Sequence, residues 1–282
     1  MIGSYRRRSF SIDWGKAFLA LVISGIAFGV LVFVWFTRNL PDPTKVVRRS
    51  GYSSVVLDRI GKTILYDLYV DENRKFTPLE EIPEYLKKAT ISIEDKEFYS
   101  HTGFDPMAVL RIAKNMVTKG RLIGGSTLTQ QLVKNVLLTN ERTISRKIKE
   151  FVLSLRIERK FSKDEILQMY LNEAPYGGTA WGVSAAAQQY FGKEVRDLNL
   201  TESVILAGIP QAPSRYSPFS STPKSYVVRA KEVARRMRED GVIDPTLEKQ
   251  IDDSLDGIEF KKGSNRIKAG HFVMYVKQEL EE

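Results

Sequence analysis

The stretch Ile91–Gly103, "ISIEDKEFYSHTG", runs from an apolar segment straight into three acids, two aromatics and one of the chain's two histidines. The residues just upstream carry a helical pattern: Ile82, Leu86, Ala89 and Ile93 recur every three or four positions, on one face of a helix. Three readings of the acids are open: a metal site, a helix end with charges in solvent, and a carboxylate held for acid/base chemistry. Zinc finds no support. The other histidine, His271, lies far off in a polar tail, no His-Glu-x-x-His is present, and the chain has no cysteine. His101 therefore reads as a hydrogen-bonding residue that shapes the turn before Gly103, with Asp95 as a supporting neighbour. Carboxylate chemistry stays open for the acids Glu94, Asp95 and Glu97.

Working outward, helix signals dominate. Asp105-Pro106 is an N-cap followed by Pro at the first helical position, and it opens "FDPMAVLRIAKNMV". Ser162 with Glu165 forms a capping box ahead of "SKDEILQMYLN". Further helices are predicted over about 141–160, at "GVSAAAQQYF" and "TESVILAGI", and over 225–239. Nearer the start, "SSVVLDRIGKTILYDLYV" alternates around a Gly turn and predicts a short β-hairpin. The expected fold class is mainly α.

The chain holds 43 Lys and Arg against 34 Asp and Glu, a net charge of +9, which favours an anionic partner: nucleic acid, an anionic membrane surface or a phosphorylated substrate. Ala17–Phe36, "AFLALVISGIAFGVLVFVWF", carries no charge and matches the ~20 residues needed to cross a bilayer core. It exceeds the ~7–15 apolar residues of a signal peptide, and no Ala-x-Ala site follows it. Arg6, Arg7, Arg8 and Lys16 precede the span and Arg38, Lys45, Arg48 and Arg49 follow it, so nearby charges leave the orientation tied. The expectation at this point is a single-pass membrane protein with its N-terminus inside and the long domain that follows outside. That placement excludes nucleic acid as a partner.

Two more segments concentrate polar chemistry. In "GGSTLTQQLVKN", residues 124–135, glycines and hydroxyls at a helix start suggest a phosphate cradle. Ser126, Thr127, Gln130, Gln131 and Lys134 are its candidate ligand-binding side chains. No Gly-Lys-Ser/Thr follows, so a nucleotide P-loop is not supported. In "ERTISRKIKEFVLSLRIERK", residues 141–160, Ile144, Ile148, Phe151 and Leu155 form the expected buried stripe. Arg142, Arg146 and Glu150 then project from the opposite side, with Lys147 at the edge. They read either as a solvated face with i,i+4 ion pairs or as a carboxylate among cations that meet an anionic ligand. Ser221-Thr222-Pro223-Lys224 nominally fits Ser-x-x-Lys, but no Lys-Thr-Gly or Ser-x-Asn accompanies it, and a transpeptidase reading is rejected.

Taken in order, Glu94-Asp95-x-x-Phe98-x-x-His101-x-Gly103, Gly125-Ser126-Thr127-x-Thr129-Gln130-Gln131 and Arg146-Lys147-x-x-Glu150 resemble the first three motifs of the peptidoglycan glycosyltransferases. "KDEILQMYLN" resembles the fourth, with Gln168 where Glu is common, and Arg229 alone is carried over from the fifth. The tail "AGHFVMYVKQELEE" is similar to the segment leading into the transpeptidase domain of class A penicillin-binding proteins, which implies either a bifunctional chain truncated before that domain, the favoured reading, or a monofunctional enzyme with an unusual tail. The resemblance implies a lysozyme-like helical large lobe with a small membrane-associated jaw lobe, preceded by the transmembrane helix and the hairpin. The implied organisation is a cytoplasmic N-terminus (1–16), an anchor (17–37), a linker with the hairpin (38–75), a glycosyltransferase domain (76–245) and a C-terminal linker (246–282).

The substrate it implies is lipid II, polymerised into β-1,4 glycan with release of polyprenyl pyrophosphate, with cell-wall synthesis proteins as further partners. It makes Glu94 the general base and gives Glu150 a second catalytic role. Ser126, Thr127, Gln130, Gln131, Lys134, Arg142, Arg146, Lys147 and Arg229 become the substrate-binding set. No cofactor is required by it, no metal ligand is assigned, and a divalent cation (Mg or Mn) near the pyrophosphate is compatible with it. A glycan-cleaving lytic transglycosylase and a non-catalytic membrane-anchored cell-wall binding protein are the competing readings.

Overall fold

The computed structural model describes residues 14–38, 40–46, 54–61, 64–68, 73–103, 125–138 and 143–261, together with Phe272 and Val276. Residues 104–124, which hold "FDPMAVLRIAKNMV" and most of "RLIGG", the stretches suited to a jaw touching lipid, lie outside the described residues, as does Arg142. Helix α1 (Trp14–Thr37) is apolar around its whole circumference, and Phe18, Leu21, Phe28, Leu31 and Trp35 are exposed. At 1.5 Å per residue it is about 36 Å long, against about 30 Å of hydrocarbon. Among the described residues it is the one helix long and apolar enough to cross a membrane.

A 3-10 turn (Pro43–Val46) buries Val46 and leads to strands β1 (Ser54–Leu57) and β2 (Ile64–Leu68), which pair antiparallel. Strand β3 (Asn73–Arg74) then joins a small separate sheet in the order β3-β5-β4, with β4 at Pro175–Gly177 and β5 at Ala180–Trp181.

The rest is helical: α2 (Glu84–Glu94), α3 (Leu128–Leu137), α4 (Ile144–Glu158), α5 (Lys163–Glu173), α6 (Gly182–Phe191), α7 (Leu200–Gly208), the short α8 (Pro213–Tyr216), α9 (Ser225–Glu239) and α10 (Pro245–Ser254). Capping explains several of these boundaries. Ser162/Glu165 and Asn199/Glu202 form capping boxes at α5 and α7, and α6 stops where Gly192 turns left-handed at φ +64°. Helix α2 packs on α7 and α9, while α3 packs on α4 and α5, so two helix layers meet at the C-terminal end of α2. Their shared core includes Leu86, Leu132, Leu153, Tyr170, Leu206 and Val233.

Two expectations fail in the helices. The stripe Ile144, Ile148, Phe151, Leu155 is not the buried face of α4: Ile144 is 83% exposed and the other three are half-buried. The buried face is Glu150, Leu153, Ser154 and Ile157, the same i, i+3, i+4, i+7 spacing rotated toward α3. A charge can occupy that face because neighbouring cations pair with it, whereas hydropathy counts Glu150 as polar and pushes it outward. Secondly, residues 246–254 belong to a helix packed on α9, and Ile251 and Leu255 enter the core. Asp244 caps this helix and Pro245 sits at its first position, the signature also present at Asp105-Pro106.

Candidate active site

Helix α2 ends at Glu94, because Asp95 leaves helical geometry at φ −160°, ψ 73°. The two acids consequently diverge. Asp95 turns inward, where both its oxygens lie 3.0 Å from Nε2 of His101 and Oδ2 accepts the Leu128 N–H at 2.9 Å. Nδ1 of His101 accepts the Gly103 N–H at 3.1 Å, so the ring proton sits on Nε2 and is donated to Asp95. Asp95 thus meets the positive end of α3 and ties the loop after α2 to the start of α3.

Gly103 is the hub of this turn. Its carbonyl accepts from the Thr127 hydroxyl at 3.1 Å, Gln130 Nε2 at 3.3 Å and the Ser154 hydroxyl at 3.1 Å. Its φ is +83°, and a Cβ there would lie 3.0 Å from the Ser154 backbone on α4. Gly103→Ala combines left-handed strain with overpacking against a helix backbone and is expected to destabilise by about 2–5 kcal/mol in denaturation of the detergent-solubilised chain.

The phosphate cradle expected at the start of α3 is largely occupied from within. Asp95 takes the Leu128 N–H, and the Thr127 hydroxyl caps the Gln130 N–H at 3.2 Å while donating to Gly103. The Thr129 hydroxyl donates to buried Glu158, which pairs with Lys163 at 2.7 Å. Thr127 and Gln130 therefore build the turn. Gln130 also reaches outward, its Oε1 accepting from Lys147 Nζ at 3.5 Å, beside Ser126, which accepts from the same ammonium, and Gln131, which donates to Glu94.

Glu94 points away from Asp95, with its side chain only 6% exposed. Oε1 accepts from Nη2 of Arg229 at 3.1 Å, and Oε2 accepts from Nε2 of Gln131 at 2.8 Å. An acid in the last turn of a helix faces the negative end of the dipole, so Glu94 is placed against local preference and depends on these two donors. Arg229 reaches it from α9 by passing Gly208, whose carbonyl accepts Arg229 Nε at 3.3 Å. A Cβ on Gly208 would come within 2.8 Å of the arginine Cγ. Tyr216 flanks the guanidinium, with its ring centre 5.6 Å away.

A second carboxylate, Glu150, is 2% exposed. Its Oε2 accepts from Lys147 Nζ at 2.8 Å, and the same ammonium donates to Ser126 Oγ at 2.6 Å. Oε1 lies 3.2 Å from Arg146 Nε without hydrogen-bond alignment, so both atoms keep unused bonding capacity. Lys134 completes the group with no hydrogen bond or ion pair among the described residues. Burial pulls its ammonium below the usual lysine range; Glu150 opposes that, Arg146 adds to it, and Glu94 and Lys147 act in the same opposed senses. A partly buried cation in this condition is stabilised by an arriving anion.

A family model described as Transglycosylase matches residues 61–238, which include every site residue described above. The chain belongs to the transglycosylase family. Among this transglycosylase's relatives, penicillin-binding protein 1A of Aquifex aeolicus is 42% identical over 227 residues, covering 79% of this chain and 31% of the relative. Penicillin-binding protein 1A of Rickettsia conorii is 37% identical over 270 residues, covering 94% and 34%. The chain thus spans about a third of the length of these curated relatives. A crystal structure of penicillin-binding protein 1A from Haemophilus influenzae aligns over 81% of this chain and 23% of its own, at 22% identity and a TM-score of 0.45.

Several polar residues near the site escaped sequence reasoning. Tyr170 and Tyr176 are buried, and burial followed by the Glu94 charge raises both phenols above the ordinary range. The Glu158–Lys163 pair behind Thr129, with Lys163 4.5 Å from the Phe98 ring centre, is likewise absent from that reasoning. Spacing offers no signal for such residues, since their partners lie on other elements.

Proposed function

We propose that the chain polymerises lipid II into β-1,4 glycan strands, with Glu94 as the general base. The observation that carries this reading is the nearly buried Glu94 carboxylate, fixed by Arg229 and Gln131, in the same electrostatic neighbourhood as Lys134 and the Glu150–Lys147–Arg146 cluster. Glu94 takes the proton from the acceptor's 4-hydroxyl as that oxygen forms its bond to the donor's anomeric carbon. The bond from that carbon to the pyrophosphate oxygen breaks, its electron pair leaves with polyprenyl pyrophosphate, and the configuration inverts. Lys134, Arg146 and Lys147 neutralise the growing charge on the leaving group, with Ser126 presented beside them. Arg142 joins them by sequence position. Glu150 holds Lys147 and Arg146 in place.

Among the described residues no group of three or more His, Asp or Glu side chains comes together to hold a metal ion. The Glu150 carboxylate, the acid nearest these cations, is already paired to two of them. The described residues therefore do not form a divalent-cation site, and no step is routed through one.

The lysozyme-like lobe, the jaw lobe and the extracytoplasmic orientation belong to the same reading, since an apolar α1 in contact with α4 suits a lipid-borne substrate. Incubating the intact chain with lipid II and, separately, with sacculi tests it. Glycan made from lipid II and sacculi left intact is the expected result; release of soluble fragments from sacculi contradicts it and favours a cleaving enzyme.

A further inference from the structure

We propose that Tyr170 is a positioning residue for Glu94, acting through the Gln131 carboxamide. The Tyr170 hydroxyl donates to Gln131 Oε1 at 3.3 Å, and Gln131 Nε2 donates to Glu94 Oε2 at 2.8 Å. These three residues sit on α5, α3 and α2, so the relay links the helix layers that meet at the site. The inference rests on the reading of Glu94 as the base.

The chemistry of each end fixes the direction of the relay. An ionised carboxylate only accepts, so the amide must turn its NH2 toward Glu94 and its oxygen toward Tyr170. That oxygen is the only hydrogen-bond partner of the phenol among the described residues, so Tyr170 must donate. Burial, with the Glu94 charge next, raises this phenol well above its ordinary range, which keeps the proton on Tyr170 throughout the neutral range. A phenol that cannot release its proton serves as a fixed donor. Without it the Gln131 amide is free to rotate about its last torsion, and its oxygen can swing toward the Glu94 carboxylate. Either outcome weakens a donor to the ionised base.

The tyrosine ring is 1% exposed, so Tyr170→Phe keeps the packing and deletes only the hydroxyl. In lipid II polymerisation, Tyr170→Phe is expected to lower kcat about tenfold, as suits a weakened hydrogen bond to a charged group, while KM changes less than about twofold. The acid limb of the kcat profile moves to higher pH, because the ionised carboxylate loses support. Gln131→Leu, which leaves the ring in place, must produce the same shift on its own, and the double variant must add nothing further. A wild-type kcat and acid limb in Tyr170→Phe overturns the proposal, even with a lowered Tm. So does an effect of Tyr170→Phe that is undiminished in the Gln131→Leu background. Glu94→Gln measured alongside separates the two levels: if it polymerises normally the assignment of the base fails, and if it is inactive while Tyr170→Phe is normal only the relay fails.

Discussion

Glu94→Gln is expected to reduce polymer formation from lipid II by about a thousandfold or more, the scale of losing general-base catalysis together with the carboxylate's charge. The amide is nearly isosteric with the acid, and the surroundings can adapt to it. Arg229 Nη2 can still donate to the amide oxygen, and the Gln131 amide can turn its oxygen toward the new NH2. The acid sits unfavourably at the C-terminal end of α2, so replacing it relieves a dipole conflict even as one charge-assisted pair is lost. A thermal melt close to wild type, alongside lost turnover, is the combined result expected. Near-normal polymerisation removes Glu94 from the mechanism.

Arg229→Met should be the most destabilising substitution at the site. Arg229 is 9% exposed and its partner carboxylate is nearly buried, so truncation leaves Glu94 with a single neutral donor. Breaking a buried pair in this way costs about 3–5 kcal/mol. The cost has a pH signature. A carboxylate left without its cation favours the protonated form in the folded state, so the folded state binds more protons than the unfolded one across the affected window. The deficit therefore grows as pH rises through that window and shrinks as pH falls. Chemical denaturation of wild type and Arg229→Met at pH 4 and pH 7 checks this; a deficit independent of pH shows that lost packing beside Tyr216, and not charge, is responsible.

The helices were legible where local rules govern them. "GVSAAAQQYF" and the segment 225–239 match α6 and α9 at both ends, and Ser162/Glu165 announces α5 through its capping box. The burial of α4 was not, because hydropathy ranks Ile144 above Glu150. The actual ranking is decided by Lys147 and Arg146, which allow a charge inside, and by the lack of any described neighbour covering Ile144. Helix α10 was missed although Asp244-Pro245 carries the same start signal as Asp105-Pro106; its short, charged sequence has too few apolar positions to display a period.

The site shows the same division. Glu94, Gln131 and Glu150 stand in motifs that the resemblance picks out, and the structure gathers them with Lys134 and Lys147. The contact that holds Glu94, however, joins residues 135 positions apart, and Arg229 entered the sequence reading from a motif of which only one residue remained. What the sequence left out is how the turn at Gly103 consumes Thr127 and Gln130. Donors and acceptors that match a phosphate cradle by type are satisfied by Asp95, Gly103 and Glu158.

The central claim is that this site makes glycosidic bonds with inversion at the expense of a pyrophosphate ester. Its most direct measurement follows the intact, membrane-anchored chain acting on lipid II labelled in the disaccharide, reading both the anomeric configuration of new linkages and the polyprenyl pyrophosphate released. The account predicts β-1,4 linkages only, with one pyrophosphate released for each linkage formed. Retained α configuration, linkages formed without matching pyrophosphate, or lipid II bound without turnover would contradict it.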